Sequence, residues 1–170
     1  MKRGTAYLGM FLSLALICSY VESLIPFNFG IPGIKLGLAN IVTVIILCAP
    51  RGEGKGMFGA KEAFVISILR ILLAGFLFGN PFSILYSMGG AILSFAVMLL
   101  LWRSGKLHVI SVSVAGGIFH NVGQLLVAAA VVENYNLFYY APALLAAGFV
   151  TGALIGILAQ EMILRLSGRL

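Results

Sequence analysis

The sequence predicts an all-α integral membrane bundle of six transmembrane helices, formed as one domain over residues 1–170. Three observations predict it. The chain is 61% hydrophobic and only 9% charged, with a mean hydropathy of +1.10; a soluble domain carries about a quarter charged residues. Its apolar runs mostly reach the roughly 20 residues a helix needs to cross about 30 Å of hydrocarbon. Its prolines, Pro26, Pro32, Pro50, Pro81 and Pro142, all fall at or near the ends of those runs. There a helix can stop or start without losing internal hydrogen bonds.

The spans follow in order at approximately 5–25, 32–49, 60–79, 82–102, 109–132 and 141–165. The first follows Met1-Lys2-Arg3 and has the outline of a signal peptide. No A-x-A-like site follows it, and Ile17 is too large to precede a lipidated cysteine at Cys18, so an uncleaved first span is expected. The second is the shortest. Leu36 to Ala49 cannot cross alone, so this span requires the Ile31-Pro32-Gly33-Ile34-Lys35 segment to enter the membrane or the helix to sit shallowly.

Lys and Arg set the orientation. With the amino terminus in the cytoplasm, the inner segments hold Lys2, Arg3, Arg51, Lys55, Lys61, Arg103, Lys106, Arg165 and Arg169, against Lys35 alone outside. Such an excess predicts a multi-pass protein of the cytoplasmic membrane with both termini inside. Tyr7 and Trp102 fall at the inner interface; Tyr20, Tyr135, Tyr139 and Tyr140 fall near the outer one. The net charge of +6 is thereby explained by topology, and no nucleic-acid partner is expected.

Catalytic and cofactor motifs are missing from the sequence. It has no aspartate, which excludes an aspartate-rich Mg²⁺-diphosphate site. Gly52-Glu53-Gly54-Lys55-Gly56 is too short and wrongly ordered for a Walker A loop. Two cysteines, Cys18 and Cys48, and two histidines, widely dispersed, give neither a disulfide framework nor zinc-ligand spacing. No catalytic residue, metal or cofactor is expected, and the chain is read as a non-enzyme.

Polar residues inside or beside the apolar runs carry the functional argument. They are Glu22, Lys35, Asn40, Arg70, His120, Asn121 and Gln124. Such groups are costly in lipid and usually face a bundle interior or a water-filled site. In the predicted topology four spans bring them to one depth zone, from the midplane to the outer surface. His120 and Gln124, four residues apart, share a helix face. Two cations and a histidine against one carboxylate point to a small anionic ligand, for which the Arg70 guanidinium offers a planar fork. The bland alternative pairs Glu22 with Lys35 or Arg70 and leaves the rest bridging helices; a histidine alone does this often.

Small residues recur at helical spacing: Gly148, Gly152 and Gly156 in the last span, Gly75 and Gly79 in the third, Gly9/Ser13 and Ala15/Ser19 in the first. They let helices approach closely in lipid. Internal bundle packing is the ordinary reading, and an outward face would dock another membrane subunit.

Four segments, Pro32-Gly33-Ile34-Lys35-Leu36-Gly37-Leu38-Ala39-Asn40, Leu69-Arg70-Ile71-Leu72-Leu73-Ala74-Gly75 through Gly79, Ser83-Ile84-Leu85-Tyr86-Ser87-Met88-Gly89-Gly90, and Phe119-His120-Asn121-Val122-Gly123-Gln124, resemble the Gx transporter family. Its members are also labelled heptaprenyl diphosphate synthase component I. Tyr86, within the third segment, joins the candidate ligand-binding residues. The family in turn resembles the S components of energy-coupling factor transporters, six-helix proteins that bind vitamins near the outer surface. The resemblance therefore implies a substrate-binding subunit for a small anionic or vitamin-like molecule. It also implies a separate energy-coupling membrane subunit and two ATPases as partners. Two other readings stay open: a non-catalytic membrane partner in prenyl diphosphate metabolism, and a self-contained small transporter acting as an oligomer.

Overall fold

The computed structural model describes residues 2–24, 37–49 and 58–167. The described residues form helices and connecting turns: α1 (Lys2–Leu24), α2 (Asn40–Cys48), α3 (Ala60–Phe78), α4 (Pro81–Arg103), α5 (Val109–Val132) and α6 (Ala141–Ser167). A 3₁₀ helix, Tyr135–Tyr140, joins α5 to α6. Lys35, the 32–36 start of the expected second span, Pro26, Pro32, Pro50 and the inner-loop Arg51 and Lys55 lie outside the described residues, as does Arg169.

Local chemistry explains where the helices begin and end. Asn80 caps α4, its Oδ1 accepting from the Ser83 amide at 2.7 Å, and Pro81 occupies the first helical position, where its missing N–H costs nothing. Glu62 accepts from the Gly59 amide at 2.8 Å and closes the start of α3. Glu133, with φ 53°, terminates α5, and Asn134 caps the 3₁₀ helix through the Asn136 amide at 3.0 Å. That 3₁₀ turn was not anticipated from sequence.

Among the described residues, four helical segments are long and apolar enough to cross a membrane: Gly4–Leu24, Pro81–Arg103, Val109–Val132 and Tyr135–Arg165. The chain thus has the make-up of a multi-pass membrane protein. With 19 residues α3 has the length, but it carries Lys61, Glu62 and Arg70.

The second span departs from expectation. Its helix begins only at Asn40 and runs for nine residues, about 13 Å at 1.5 Å per residue, well short of a bilayer. Gly37 is the reason: its φ of +83° is left-handed, and its amide donates to the Glu22 carboxylate of α1 instead of to a helix carbonyl. Asn40 and Val42 through Cys48 are all buried, so α2 is a half-helix enclosed by the others, as its all-round apolar surface demands.

Glycines bring α4, α5 and α6 to backbone contact. A Cβ at Gly117 would lie 2.3 Å from the Gly148 carbonyl oxygen, and one at Gly123 2.5 Å from that of Gly89. Gly148, Gly152 and Gly156 all face α5, where Cβ atoms would meet its backbone at 2.7, 2.8 and 2.8 Å. Hydroxyls tie the same seams, Ser113 to the Gly152 carbonyl and Ser94 to the Gly116 carbonyl, each at 2.8 Å. By contrast α1 touches chiefly α3 and leaves most of its surface outward. Ala15 and Ser19 face inward, whereas Gly9 and Ser13 are exposed, with nothing within 4 Å of a Cβ at Gly9.

Candidate functional site

Two apolar clusters divide the interior. The larger gathers Ala15, Ile45, Ala63, Ile66, Met98 and Ile155 around α2; the smaller joins Tyr86, Leu125, Ala128 and Leu144 beneath the 3₁₀ helix. Between them lies a buried polar layer. Along α5 the order is Val112, then His120 and Gln124, then Leu125 and Ala128.

Each helix but α6 supplies buried polar side chains to this zone. From α1 come Ser19 and Glu22, from α2 Asn40, from α3 Ser67 and Arg70, from α4 Ser83 and Ser87, and from α5 His120 and Gln124, while Tyr86 packs in the smaller apolar cluster. Arg70 is 3% exposed and Gln124 is fully buried. Glu22 and Arg70 feel each other's charge, and so do Arg70 and His120, which places all three in one electrostatic neighbourhood. No ion pair joins Glu22 to Arg70 among the described residues. Glu22 instead receives the Gly37 amide.

Glycine makes the room. A Cβ at Gly37 would lie 3.2 Å from the His120 ring and 3.0 Å from Asn40 Nδ2. One at Gly90 would lie 2.9 Å from both His120 Nδ1 and Gln124 Cγ. The Gly37 turn therefore sits directly on His120, and the start of α2 is brought to the polar layer. Positive partial charge at a helix amino terminus adds to that of Arg70.

Several of these groups have atoms without protein partners. Arg70 Nη2, His120 Nδ1, both amide atoms of Gln124, and the hydroxyls of Ser19 and Ser83 make no hydrogen bond among the described residues. A buried unpaired polar atom costs about 1–3 kcal/mol. A layer carrying several of them can pair with donors and acceptors that a ligand or water brings. No three His, Cys, Asp or Glu side chains gather into a metal-binding group among the described residues.

The structure divides one group that the sequence had taken together. His120 and Gln124 face Gly90 and Gly37, but Asn121, one residue on and turned by about 100°, faces α6. Its Nδ2 donates to the Leu144 carbonyl at 2.7 Å, and its Oδ1 has no partner among the described residues. Lys35 lies outside the described residues. Ser19, expected in a helix-packing face, is three residues before Glu22 and enters the polar zone with it; that spacing was the available signal. Gly37 and Gly90 carried no such signal, because their role is the space they leave.

An all-helical membrane protein with an enclosed polar layer is the class this fold and site define. The family model for heptaprenyl diphosphate synthase component I, the Gx transporter family, matches residues 11–162, and the chain belongs to that family. No curated protein and no solved structure matches it.

Proposed function

We propose that the chain is the substrate-binding subunit of an uptake system in the cytoplasmic membrane. It crosses the bilayer with both termini inside, and binds a small anionic or vitamin-like molecule without catalysing a reaction. The observation that carries this reading is Arg70: a guanidinium 3% exposed, with Nη2 unpartnered among the described residues and no direct ion pair with a carboxylate there. A buried cation left open in this way attracts an anion, and its fork suits carboxylate or phosphate. His120, Gln124 and the start of α2 supply the neutral donors and acceptors around it.

The layer is closed, with Arg70, His120 and Gln124 at most 3% exposed. A neighbouring cavity beside Gly37 and Asn40, lined by none of the three, holds about 10 Å³, the size of one water. Ligand entry therefore needs the α1 and α2 side to part from α4, α5 and α6. The backbone contacts of those three helices resist movement, whereas the mostly exposed α1 is held more lightly. An S-component-like arrangement would place a coupling subunit and ATPases outside this chain. The family description supports one other reading, a non-catalytic membrane partner in prenyl diphosphate metabolism.

The test is binding of inorganic phosphate and small carboxylates by the purified protein, with native mass spectrometry of any co-purified molecule. Arg70→Lys keeps the charge but loses the fork, and is expected to weaken anion binding about tenfold; Arg70→Ala should abolish it. Anion affinity that survives Arg70→Ala in a folded protein would sink this reading.

A further inference from the structure

Helix α1 is held unevenly along its length. Leu8, Phe11, Leu12, Leu14 and Ala15 sit on the larger apolar cluster, and the Phe58 ring meets Tyr7 and Phe11 edge-on at 6.3 and 5.6 Å. Residues 16–24 add no member to either apolar cluster. This end is tied instead by the ring contact of Tyr20 with Phe78 at 5.1 Å and by two buried polar side chains, Ser19 and Glu22. The Glu22 carboxylate accepts the Gly37 amide and acts electrostatically on Arg70. The turn that gives this amide packs against the His120 ring. A carboxylate that takes a backbone N–H beside a buried guanidinium makes the contacts of a bound anion.

We infer that Glu22 is the built-in occupant of the anion site, and that an incoming anion displaces it and swings the carboxyl-terminal end of α1 away from α3. The inference rests on the anion-binding reading above. With Glu22 in place, an anion at Arg70 lies beside a like charge in a buried layer, where repulsion is poorly screened. Withdrawal of the carboxylate removes that repulsion and frees the Gly37 amide as a second donor. The remaining walls stay, because Gly37 is buried and α4, α5 and α6 meet backbone to backbone. Tilting α1 about its seat on the larger cluster breaks the Tyr20–Phe78 contact and the Glu22–Gly37 bond, while its amino-terminal half keeps its apolar packing. The end that moves bares Ser19 and Glu22 rather than core, so hydration offsets part of the cost. The empty site is thus held closed by its own carboxylate, and anion binding and opening are one equilibrium.

Calorimetry with inorganic phosphate, on the full chain in phosphatidylcholine nanodiscs, reads the displacement. Glu22→Gln keeps the shape and an acceptor for the Gly37 amide but removes the charge. It should bind phosphate at least about tenfold more tightly than the wild type. Spin labels read the movement, in a background lacking Cys18 and Cys48. Phosphate should lengthen the distance between Leu24→Cys on α1 and Leu77→Cys on α3, both 63% exposed. It should leave unchanged the distance between Ala6→Cys and Lys61→Cys, exposed at the other ends of the same helices. Equal or weaker phosphate binding by Glu22→Gln overturns the inference, as does a Leu24–Leu77 distance that phosphate does not move, or a matching change at both ends. In those cases wild-type phosphate binding still sustains the Arg70 site. If neither the folded wild type nor Glu22→Gln binds phosphate, the anion reading itself falls, and this inference with it.

Discussion

At the level of single residues, the unusual feature is a set of polar side chains held in place by shape rather than by hydrogen bonds. Gln124 shows it best: it is fully buried, and neither amide atom has a partner among the described residues. Gln124→Leu removes two unpaired polar atoms and keeps similar bulk. It should therefore leave the melting temperature unchanged or raise it, by the equivalent of about 1 kcal/mol, while reducing anion affinity. Melting and binding measured on the same purified variant check this; a collapse in stability would make Gln124 a helix bridge instead. Asn121 is the contrast. Its bond to the Leu144 carbonyl ties α5 to α6, so Asn121→Leu should cost about 1 kcal/mol in stability.

Among the helices, glycine spacing was legible in the sequence but its direction was not. Gly9 and Gly152 both sit in small-residue patterns, yet one faces outward and the other meets Ser113 and Val114 backbone at 2.8 Å. Gly152→Ala should lower stability by about 1–3 kcal/mol, because backbone cannot yield as a side chain can. Gly9→Ala should be tolerated, since an added methyl meets nothing and alanine is the better helix former by up to about 1 kcal/mol. Thermal unfolding of the two variants in one detergent decides; equal losses would show that the outward face of α1 is covered. The short α2 was half legible. Its apolar run was too brief to cross, but nothing in the residues announced that Gly37 would turn left-handed and bond to Glu22, fifteen positions away.

For the whole molecule, the distribution of Lys and Arg makes an orientation testable. In a background lacking Cys18 and Cys48, a cysteine at Tyr139, 85% exposed on the 3₁₀ helix, should react with an impermeant reagent outside the cell, and one at Ser104 should not. External labelling at Ser104 would reverse the topology. The sequence by itself determined the apolar segments and most of their limits, since α5 runs from Val109 to Val132 and α4 from Pro81 to Arg103, within a residue of the expected spans. Hydrophobic length, proline and helix caps are local properties, and so they can be read locally. It also named Glu22, Asn40, Arg70, His120 and Gln124, because a polar residue in an apolar run is conspicuous wherever it finally lies; Tyr86 came only with the family resemblance. Only the tertiary structure decided that these five lie in one layer between two apolar clusters while Tyr86 joins the smaller cluster, that Asn121 turns away from His120 towards α6, and that α2 is an enclosed half-helix. Each of those depends on which helix faces which. That is settled by glycine contacts and backbone carbonyls between segments far apart in the chain, and no single segment encodes it.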